Sequence, residues 1–250
     1  MKKILMILLC AQSFSVFAQK ASNYKELLKN AIPVTNPNWF DIPELRSNAN
    51  GASVNVWHLG YLLDNNVADY YDLKQYDTEL KKKAFANSAE GQSLVSEVKQ
   101  LRAKVVGKQF YFLVDFGKSD EYDIESKTFR SSGMSDFVID DTKIRNGYVY
   151  FTTMYLSLPT GVQYRTYYTG SRNFPTVCYQ YLYVPVKNEN VALTIEENIS
   201  NCSVLFLFQL EGVKKVNNSN YIFGATQRLF IVNRVTGDIY FELPRPQPKK

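Results

Sequence analysis

Residues 203–210 limit most strongly what this chain can fold into, because they form a nearly continuous apolar run, Ser-Val-Leu-Phe-Leu-Phe-Gln-Leu. Asn201 precedes the run, and Gly212 follows it. A run of this length with such flanks favours a strand covered on both faces, although periodicity alone does not separate it from a buried helical segment. We therefore predict a central strand here and expect the rest of the chain to cover it.

Further strand-like segments lie on both sides of this run. They are rich in Tyr, Phe, Val and Ile, and turn residues such as Asn146-Gly147 and Thr236-Gly237 separate them. The connections are too short for repeated crossover helices, so we expect an antiparallel sheet or two sheets packed as a sandwich. The predicted strands are 109–116, 121–126, 137–139, 148–158, 161–168, 179–186, 191–195, 203–210, 221–223, 228–234 and 239–243.

An amphipathic helix precedes the first of these strands. Leu94, Val98, Leu101 and Val105 recur at helical spacing and form one apolar stripe, and Gly107 follows where a helix C-terminus favours glycine. This pattern predicts a helix that covers an apolar sheet face.

The chain as a whole is predicted to adopt an α+β fold. A mainly helical N-terminal region, residues 19–107, packs on a large antiparallel β-sheet or β-sandwich, residues 108–243. Within the first region, Ser22 is expected to cap a short helix, and another helix begins at Asp77 or Thr78. The proline-rich residues 244–250 cannot sustain a helix or a strand ladder and are predicted to be disordered.

Residues 1–18 have the pattern of a bacterial signal peptide. Lys2 and Lys3 precede a short apolar core, and Ala18 ends a small-residue cleavage pattern before Gln19. The apolar core is too short to span a bilayer, so we expect no transmembrane segment after cleavage and a periplasmic or extracellular location. The basic residues are spread along the chain, which has a net charge of +5, so we expect no nucleic-acid partner.

Two cysteines, Cys178 and Cys202, remain after removal of the signal peptide. In an oxidising compartment they predict one structural disulfide, which would stabilise the fold by roughly 3–4 kcal/mol in the chain-entropy model. His58 is the only histidine, and two distant sulfurs do not complete a tetrahedral ligand set with it. We therefore expect neither a metal nor a cofactor.

The strongest signal for ligand binding is a concentration of tyrosines with nearby arginines. We predict a binding surface that includes Tyr164, Arg165, Tyr167 and Arg172, because tyrosine combines a flat apolar ring with a hydrogen-bonding hydroxyl. Strand propensity alone would also place tyrosines here. The leading hypothesis is an exported, non-catalytic protein that binds a protein or glycan partner through this tyrosine-rich β domain.

An envelope hydrolase with a carboxylate-based site is the alternative. Asp115 and Asp123 belong to an acidic group between strands, and paired acids can perform glycoside hydrolysis, with His58 as an additional general base. Acidic residues in such positions are also ordinary turn formers. Gly-x-Ser-x-Gly is absent from the sequence, so nothing indicates a serine nucleophile of that class.

Overall fold

The computed structural model confirms an α+β fold and describes residues 23–35, 39–45, 54–117, 120–132, 154–169, 176–216 and 219–244. The helices in these residues are α1 (Tyr24–Leu27), α2 (Val56–Leu63), α3 (Val67–Tyr70), α4 (Glu79–Ala86), α5 (Ala89–Ala103) and α6 (Glu189–Glu197). The strands are β1 (Ile32–Pro33), β2 (Trp39–Phe40), β3 (Val54–Asn55), β4 (Gln109–Asp115), β5 (Tyr122–Asp123), β6 (Thr128–Ser132), β7 (Met154–Ser157), β8 (Gln163–Thr169), β9 (Thr176–Pro185), β10 (Cys202–Val216), β11 (Ser219–Asn233) and β12 (Ile239–Pro244).

The larger sheet has six strands in the order β1-β4-β10-β11-β12, and β7 also pairs with β11. β10 lies at its centre, and every residue from 202 to 208 is buried. The prediction of a central strand at 203–210 is therefore confirmed. Most pairings are antiparallel, but β1 with β4 and β7 with β11 are parallel, so the sheet is mixed.

The smaller sheet is antiparallel, with four strands in the order β5-β6-β9-β8. One face of it contributes Phe129, Leu182 and Val184 to the same apolar core as the larger sheet. Because successive side chains of a strand alternate between faces, the residues between these positions lie on the opposite face. That second face carries the candidate site described below.

Phenylalanine side chains from neighbouring strands fill the main core. Phe206 of β10 stacks on Phe112 of β4 with ring centroids 4.6 Å apart and planes within 8°. Phe208 stacks on Phe110 in the same way at 5.7 Å. All four rings are buried, and the backbone register pairs Phe206 with Phe112 and Phe208 with Phe110. Directly opposed positions on one sheet face thus give the rings their contacts.

Helix α5 belongs to the helical layer of this core. Val98 and Val105 are fully buried, Leu94 and Leu101 pack partly buried beside them, and Gly107 has a φ of +84°. The amphipathic helix predicted from these residues is confirmed, although it ends at Ala103, and Val105 and Gly107 lie in the turn that follows. A φ in this region is strained for residues with a side chain, which explains why glycine stands in that turn.

The junction between α4 and α5 is unusually close. Ser88 caps α5: its Oγ accepts a hydrogen bond from the Gly91 backbone N–H at 3.0 Å and donates one to the Phe85 carbonyl at 2.7 Å. A Cβ atom added to Gly91 would lie 1.8 Å from that same carbonyl oxygen. The first turn of α5 therefore rests directly against the last turn of α4, where only glycine fits.

The opposite face of the larger sheet carries a second apolar cluster. Tyr24 of α1 is buried there against Leu205, Leu207, Phe230 and Val232. The Tyr24 backbone N–H also donates a hydrogen bond of 2.9 Å to the carbonyl of residue 237, in the turn between β11 and β12. The short helix α1 therefore covers sheet residues from the centre of the fold.

The strand predicted at residues 191–195 is wrong, because these residues belong to helix α6. The side chain of Asn188 caps the helix by accepting hydrogen bonds from the backbone N–H groups of residues 190 and 191. Ala192 and Ile195 are buried, whereas Leu193 is 55% exposed. The alternating apolar residues suggested a strand, but their burial follows the helical period, which the Asn188 cap favours.

Other boundaries differ more modestly. The segments predicted at 221–223 and 228–234 form one strand, β11, whose pairing with β10 shifts register near residue 227. β6 was not predicted. Thr78 caps α4 as expected, and Asn23 caps α1.

The signal peptide, Ser22, the predicted strand 137–139 and residues 245–250 lie outside the described residues, and the division at residue 107 stays a prediction.

Candidate functional site

Arginine and tyrosine side chains alternate across the outer face of the smaller sheet. Arg130 comes from β6, Tyr181 and Tyr183 from β9, and Arg165 from β8. Their strand neighbours Phe129, Leu182 and Tyr164 are buried in the core on the opposite face. We call the surface formed by Arg130, Arg165, Tyr181 and Tyr183 the Arg–Tyr face.

The contacts on the Arg–Tyr face run diagonally between strands. Backbone pairing places Arg130 opposite Tyr183 and Arg165 opposite Tyr181. Each guanidinium instead reaches the other tyrosine: Arg130 lies 4.9 Å from the Tyr181 ring centroid, and Arg165 lies 4.8 Å from the Tyr183 centroid. The two rings are 6.5 Å apart at 64°. The four side chains therefore form one continuous cluster centred on β9.

These contacts fix the orientation of the guanidinium groups. A guanidinium over a ring gains a cation–π attraction of about 0.5–1 kcal/mol at exposed sites. Arg165 also donates from Nη2 to Gln163 Oε1 at 2.7 Å. Arg130 lies 3.7 Å from Glu121 Oε1. Arg165 is exposed, and a pre-oriented arginine of this kind is suited to recognition of carboxylates or other planar anions.

The structure separates the four predicted ligand-binding residues. Arg165 is exposed on the Arg–Tyr face, whereas Tyr164 is buried on the core side and does not belong to this surface, so its role as a ligand contact stays a prediction. The reason is strand alternation, which puts adjacent residues on opposite faces. The backbone of Tyr167 pairs with Tyr179, whereas its side chain and all of Arg172 lie outside the described residues.

Two features of the face were missed from the sequence. Arg130 was not considered because β6 was not predicted as a strand. Tyr181 and Tyr183 were visible as part of the tyrosine concentration, and their alternation with the apolar residues Leu182 and Val184 was the signal that they share an outer face. Only the register of three strands shows which arginine meets which tyrosine.

No disulfide is found in the described residues, so the one predicted between Cys178 and Cys202 is not supported. Cys202 is a free thiol that is fully buried, and its Sγ donates a long hydrogen bond of 4.0 Å to the Ile195 carbonyl. The two cysteines belong to different sheets, since Cys178 lies in β9 and Cys202 begins β10. The separation of the two cysteines in the sequence did not show that they belong to different sheets. The side chain of Cys178 lies outside the described residues.

Cys202 is expected to resist alkylation in the folded protein. Burial raises the pKa of its thiol to about 11, partly opposed by the positive charge of Arg234, so the reactive thiolate is scarce well above neutral pH. Iodoacetamide should modify Cys202 only after the protein has been unfolded, and this unfolding is carried out without a reductant. The mass of the Cys202 peptide would show the modification. A Cys202 peptide that remains linked to the Cys178 peptide in that unfolded sample would instead restore the disulfide.

Asp115 belongs to a polar cluster at one end of the larger sheet. Ser203 Oγ donates to Asp115 Oδ1 at 2.7 Å, and Arg234 Nη1 donates to Asp115 Oδ2 at 3.0 Å. Arg234 also donates from Nη2 to the Ser200 carbonyl at 3.0 Å. The carboxylate thus links β4, β10 and the segment after β11, and both of its oxygens accept hydrogen bonds. This arrangement accounts for Asp115 as a structural residue.

The other residues of the hydrolase hypothesis do not join Asp115. The helix that carries His58 packs on β11 near Ile222, whereas Asp115 lies level with Val232, ten residues further along that strand. Asp123 Oδ1 accepts hydrogen bonds from the backbone N–H groups of residues 125 and 126 in a turn. The hydrogen bond from residue 126 lowers the pKa of Asp123, which is the wrong direction for a general acid.

The described part of the chain holds neither a group of metal-ligating side chains nor a helix that could span a membrane. Within it, no three or more His, Cys, Asp or Glu side chains gather as metal ligands would. The helices of the same residues are all too short or too polar to cross a bilayer. Comparison with known proteins gave no match to any family model, curated protein or solved structure.

Proposed function

We propose that this chain is an exported, non-catalytic protein that binds a protein or glycan partner through the Arg–Tyr face of its smaller sheet. The observation that carries the proposal is the pair of crossed arginine–tyrosine contacts formed by Arg130, Tyr181, Tyr183 and Arg165. Export rests on the leader pattern of residues 1–18. The periplasm or the extracellular space is the corresponding location.

The composition of the face supports binding to another protein in particular. Tyrosine and arginine are enriched at protein interfaces and among the residues that contribute most binding energy, whereas lysine is depleted there. Both cations on the Arg–Tyr face are arginines. Lys127, the residue before β6, lies 3.2 Å from the Glu189 carboxylate in an ion pair. We therefore place a protein partner ahead of a glycan.

Replacing Arg165 and Tyr183 by alanine should weaken partner capture without loss of folding. Arg165 is exposed and Tyr183 half-buried, so each replacement removes surface contacts and leaves the core intact. The wild-type chain, each variant and the control Lys99→Ala, on an exposed position of α5, would be immobilised and exposed to a cell-envelope extract and to a glycan array.

The expected result is a protein retained by the wild type and by Lys99→Ala, and lost from both Arg–Tyr face variants at unchanged melting temperature. Equal retention by Tyr183→Ala and the wild type would contradict the proposed surface. Retention of glycans alone would identify the other partner class. Turnover of an arrayed glycan or peptide by the wild type would contradict the non-catalytic assignment.

A further inference from the structure

We propose that β8 binds an extended segment of a protein partner as an added strand, with an acidic side chain of that segment placed against Arg165. This inference rests on the proposed function and names how the smaller sheet binds its protein partner. β8 is the last strand in the order β5-β6-β9-β8, and no described strand pairs with its outer edge. An edge strand presents backbone N–H and C=O groups that a further strand can bind.

The hydrogen-bond register shows which backbone groups of β8 point to that edge. The N–H of Val186, next to the end of β9, donates to the carbonyl of Lys127 at 2.9 Å, on the β6 side. Because hydrogen-bonded positions alternate along antiparallel strands, the odd-numbered residues of β9 near it bond towards β8 instead. Arg165 pairs with Tyr181 and therefore uses its backbone groups within the sheet. The N–H and C=O of Thr166 thus point to the outer edge.

β8 has few of the features that protect an edge strand from pairing. It is seven residues long, it contains neither proline, glycine nor lysine, and the irregularity in its pairing adds a residue to β9 rather than to β8. Short length, prolines, lysines and bulges are the usual protections of an exposed edge. By contrast, β5 at the other end of this sheet has two residues, and β12 of the larger sheet ends in Pro244.

The chemistry of this edge selects a polypeptide over a glycan. Backbone N–H and C=O groups repeat along one edge of a strand about every 6.8 Å, which is twice the rise per residue. Another extended backbone offers complementary groups at the same repeat, so each donor finds an acceptor. A sugar chain has no such series of alternating donors and acceptors. A protein segment therefore fits the edge with its main chain.

Arg165 adds a side-chain requirement for the bound segment. In an added antiparallel strand, the residue opposite Arg165 lies on the same sheet face, with the two Cα atoms about 4.5 Å apart. Arg165 is exposed, and its guanidinium contacts the neutral side chains of Gln163 and Tyr183, neither of which neutralises its charge. Opposite charges in cross-strand pairs are stabilising. An aspartate or glutamate at that position of the segment is therefore favoured.

Defined peptides on the full mature chain separate the main-chain contribution from the side-chain contribution. The probe is a short fluorescein-labelled peptide that alternates threonine and valine and has glutamate at its centre. One control carries glutamine at the centre. A second control keeps the glutamate but has an N-methyl group on each internal residue, so its backbone donates no hydrogen bonds. Fluorescence anisotropy would measure the affinity of each peptide.

We expect the wild type to bind the glutamate peptide, to bind the glutamine peptide about tenfold more weakly, and to show no binding of the N-methylated peptide. Arg165→Gln should bind the glutamate and glutamine peptides equally, because the charge contact between the two strands is lost. Lys99→Gln removes the same charge from an exposed position of α5 and should bind all peptides as the wild type does.

Proline substitutions in β8 test the direction of its backbone groups. Thr166→Pro removes an N–H at the outer edge, so it should abolish binding of both unmethylated peptides while the melting temperature stays close to that of the wild type. Arg165→Pro removes an N–H that bonds to β9 and should lower the melting temperature. If Thr166→Pro fails to fold, the N-methylated peptide still decides whether main-chain pairing is used.

The inference would be overturned by absent binding of the glutamate peptide, by equal binding of its N-methylated form, or by unchanged binding to a folded Thr166→Pro. A wild-type dimer that Thr166→Pro dissociates, measured by sedimentation equilibrium, would also overturn it, because a second copy would then occupy the edge. Failure of the proposed function gives a different result. Capture of an envelope protein that is lost in Tyr183→Ala but retained in Thr166→Pro would keep the Arg–Tyr face as the binding surface and exclude the edge of β8.

Discussion

Replacing Phe206 by alanine is expected to lower the free energy of unfolding by about 3–5 kcal/mol, the cost of removing a large buried aromatic side chain. Phe206 is fully buried in the central strand β10 and stacks on Phe112 at 4.6 Å. Strands β4 and β11 flank β10 on either side, so the surrounding backbone has little freedom to collapse into the cavity. Urea denaturation followed by tyrosine and tryptophan fluorescence would measure the loss.

Leu113→Ala is the matched control for this variant. Leu113 lies on β4 next to Phe112, but its side chain points to the other face of the sheet and is 37% exposed. We expect a loss of no more than about 1 kcal/mol, because little apolar surface leaves water there on folding. Equal losses for Phe206→Ala and Leu113→Ala would contradict the central position of β10.

The second large effect is expected for Gly91→Ala, which should destabilise the fold by about 2–3 kcal/mol. This loss is expected even though alanine has a higher helix propensity than glycine. The added methyl group would lie 1.8 Å from the Phe85 carbonyl oxygen, closer than any two such atoms can approach. Helices α4 and α5 must therefore move apart, and the Ser88 hydrogen bonds at the junction must lengthen. Thermal unfolding by circular dichroism would report the change.

Gly60→Ala makes the same substitution in α2 without the clash. The nearest atom to an added Cβ at Gly60 is Ile222 Cγ1 at 3.9 Å, an ordinary contact distance. Helix propensity should then dominate and raise the stability by up to about 1 kcal/mol. The two variants should thus have opposite signs. Destabilisation by Gly60→Ala, or a neutral Gly91→Ala, would contradict the helix packing described above.

Patterns that extended over several turns or residues were predicted correctly from the sequence. The apolar stripe of α5 and the apolar run of β10 both follow from hydrophobic burial along one element, which local sequence records directly. The same is true of β8, where Tyr164 is buried and Gln163 and Arg165 are exposed, as alternation requires. The α+β class followed from these elements.

Features set by contacts between distant segments were not predicted. The apolar residues of α6 alternate in sequence, and only the Asn188 cap and the packing of Ile195 identify a helix. The pairing of β7 with β11 is parallel, although turn residues between strands suggested only antiparallel neighbours. Cys178 and Cys202 both adjoin strands, but the sequence did not show that those strands belong to different sheets.

The candidate site was predicted in part. Arg165 was identified and lies on the Arg–Tyr face, but Tyr164 was assigned with it although adjacent strand residues face opposite ways. Arg130 is far away in the chain and belongs to a strand that composition did not reveal. Its position over Tyr181 depends on strand order and register, and a single sequence does not contain that information.

The contact between α1 and the turn after β11 has a consequence for the order of folding. Tyr24 and Gly237 are hydrogen-bonded although nearly the whole described chain separates them, so this closure is among the most non-local in the protein. Non-local contacts form slowly because the chain loses the entropy of a long loop before the contacts contribute any stabilising free energy. During synthesis, Leu205 and Leu207 therefore remain without the cover of α1 until the last hairpin exists. This sheet face is therefore where a chaperone that binds apolar strands would have the most time to bind during synthesis.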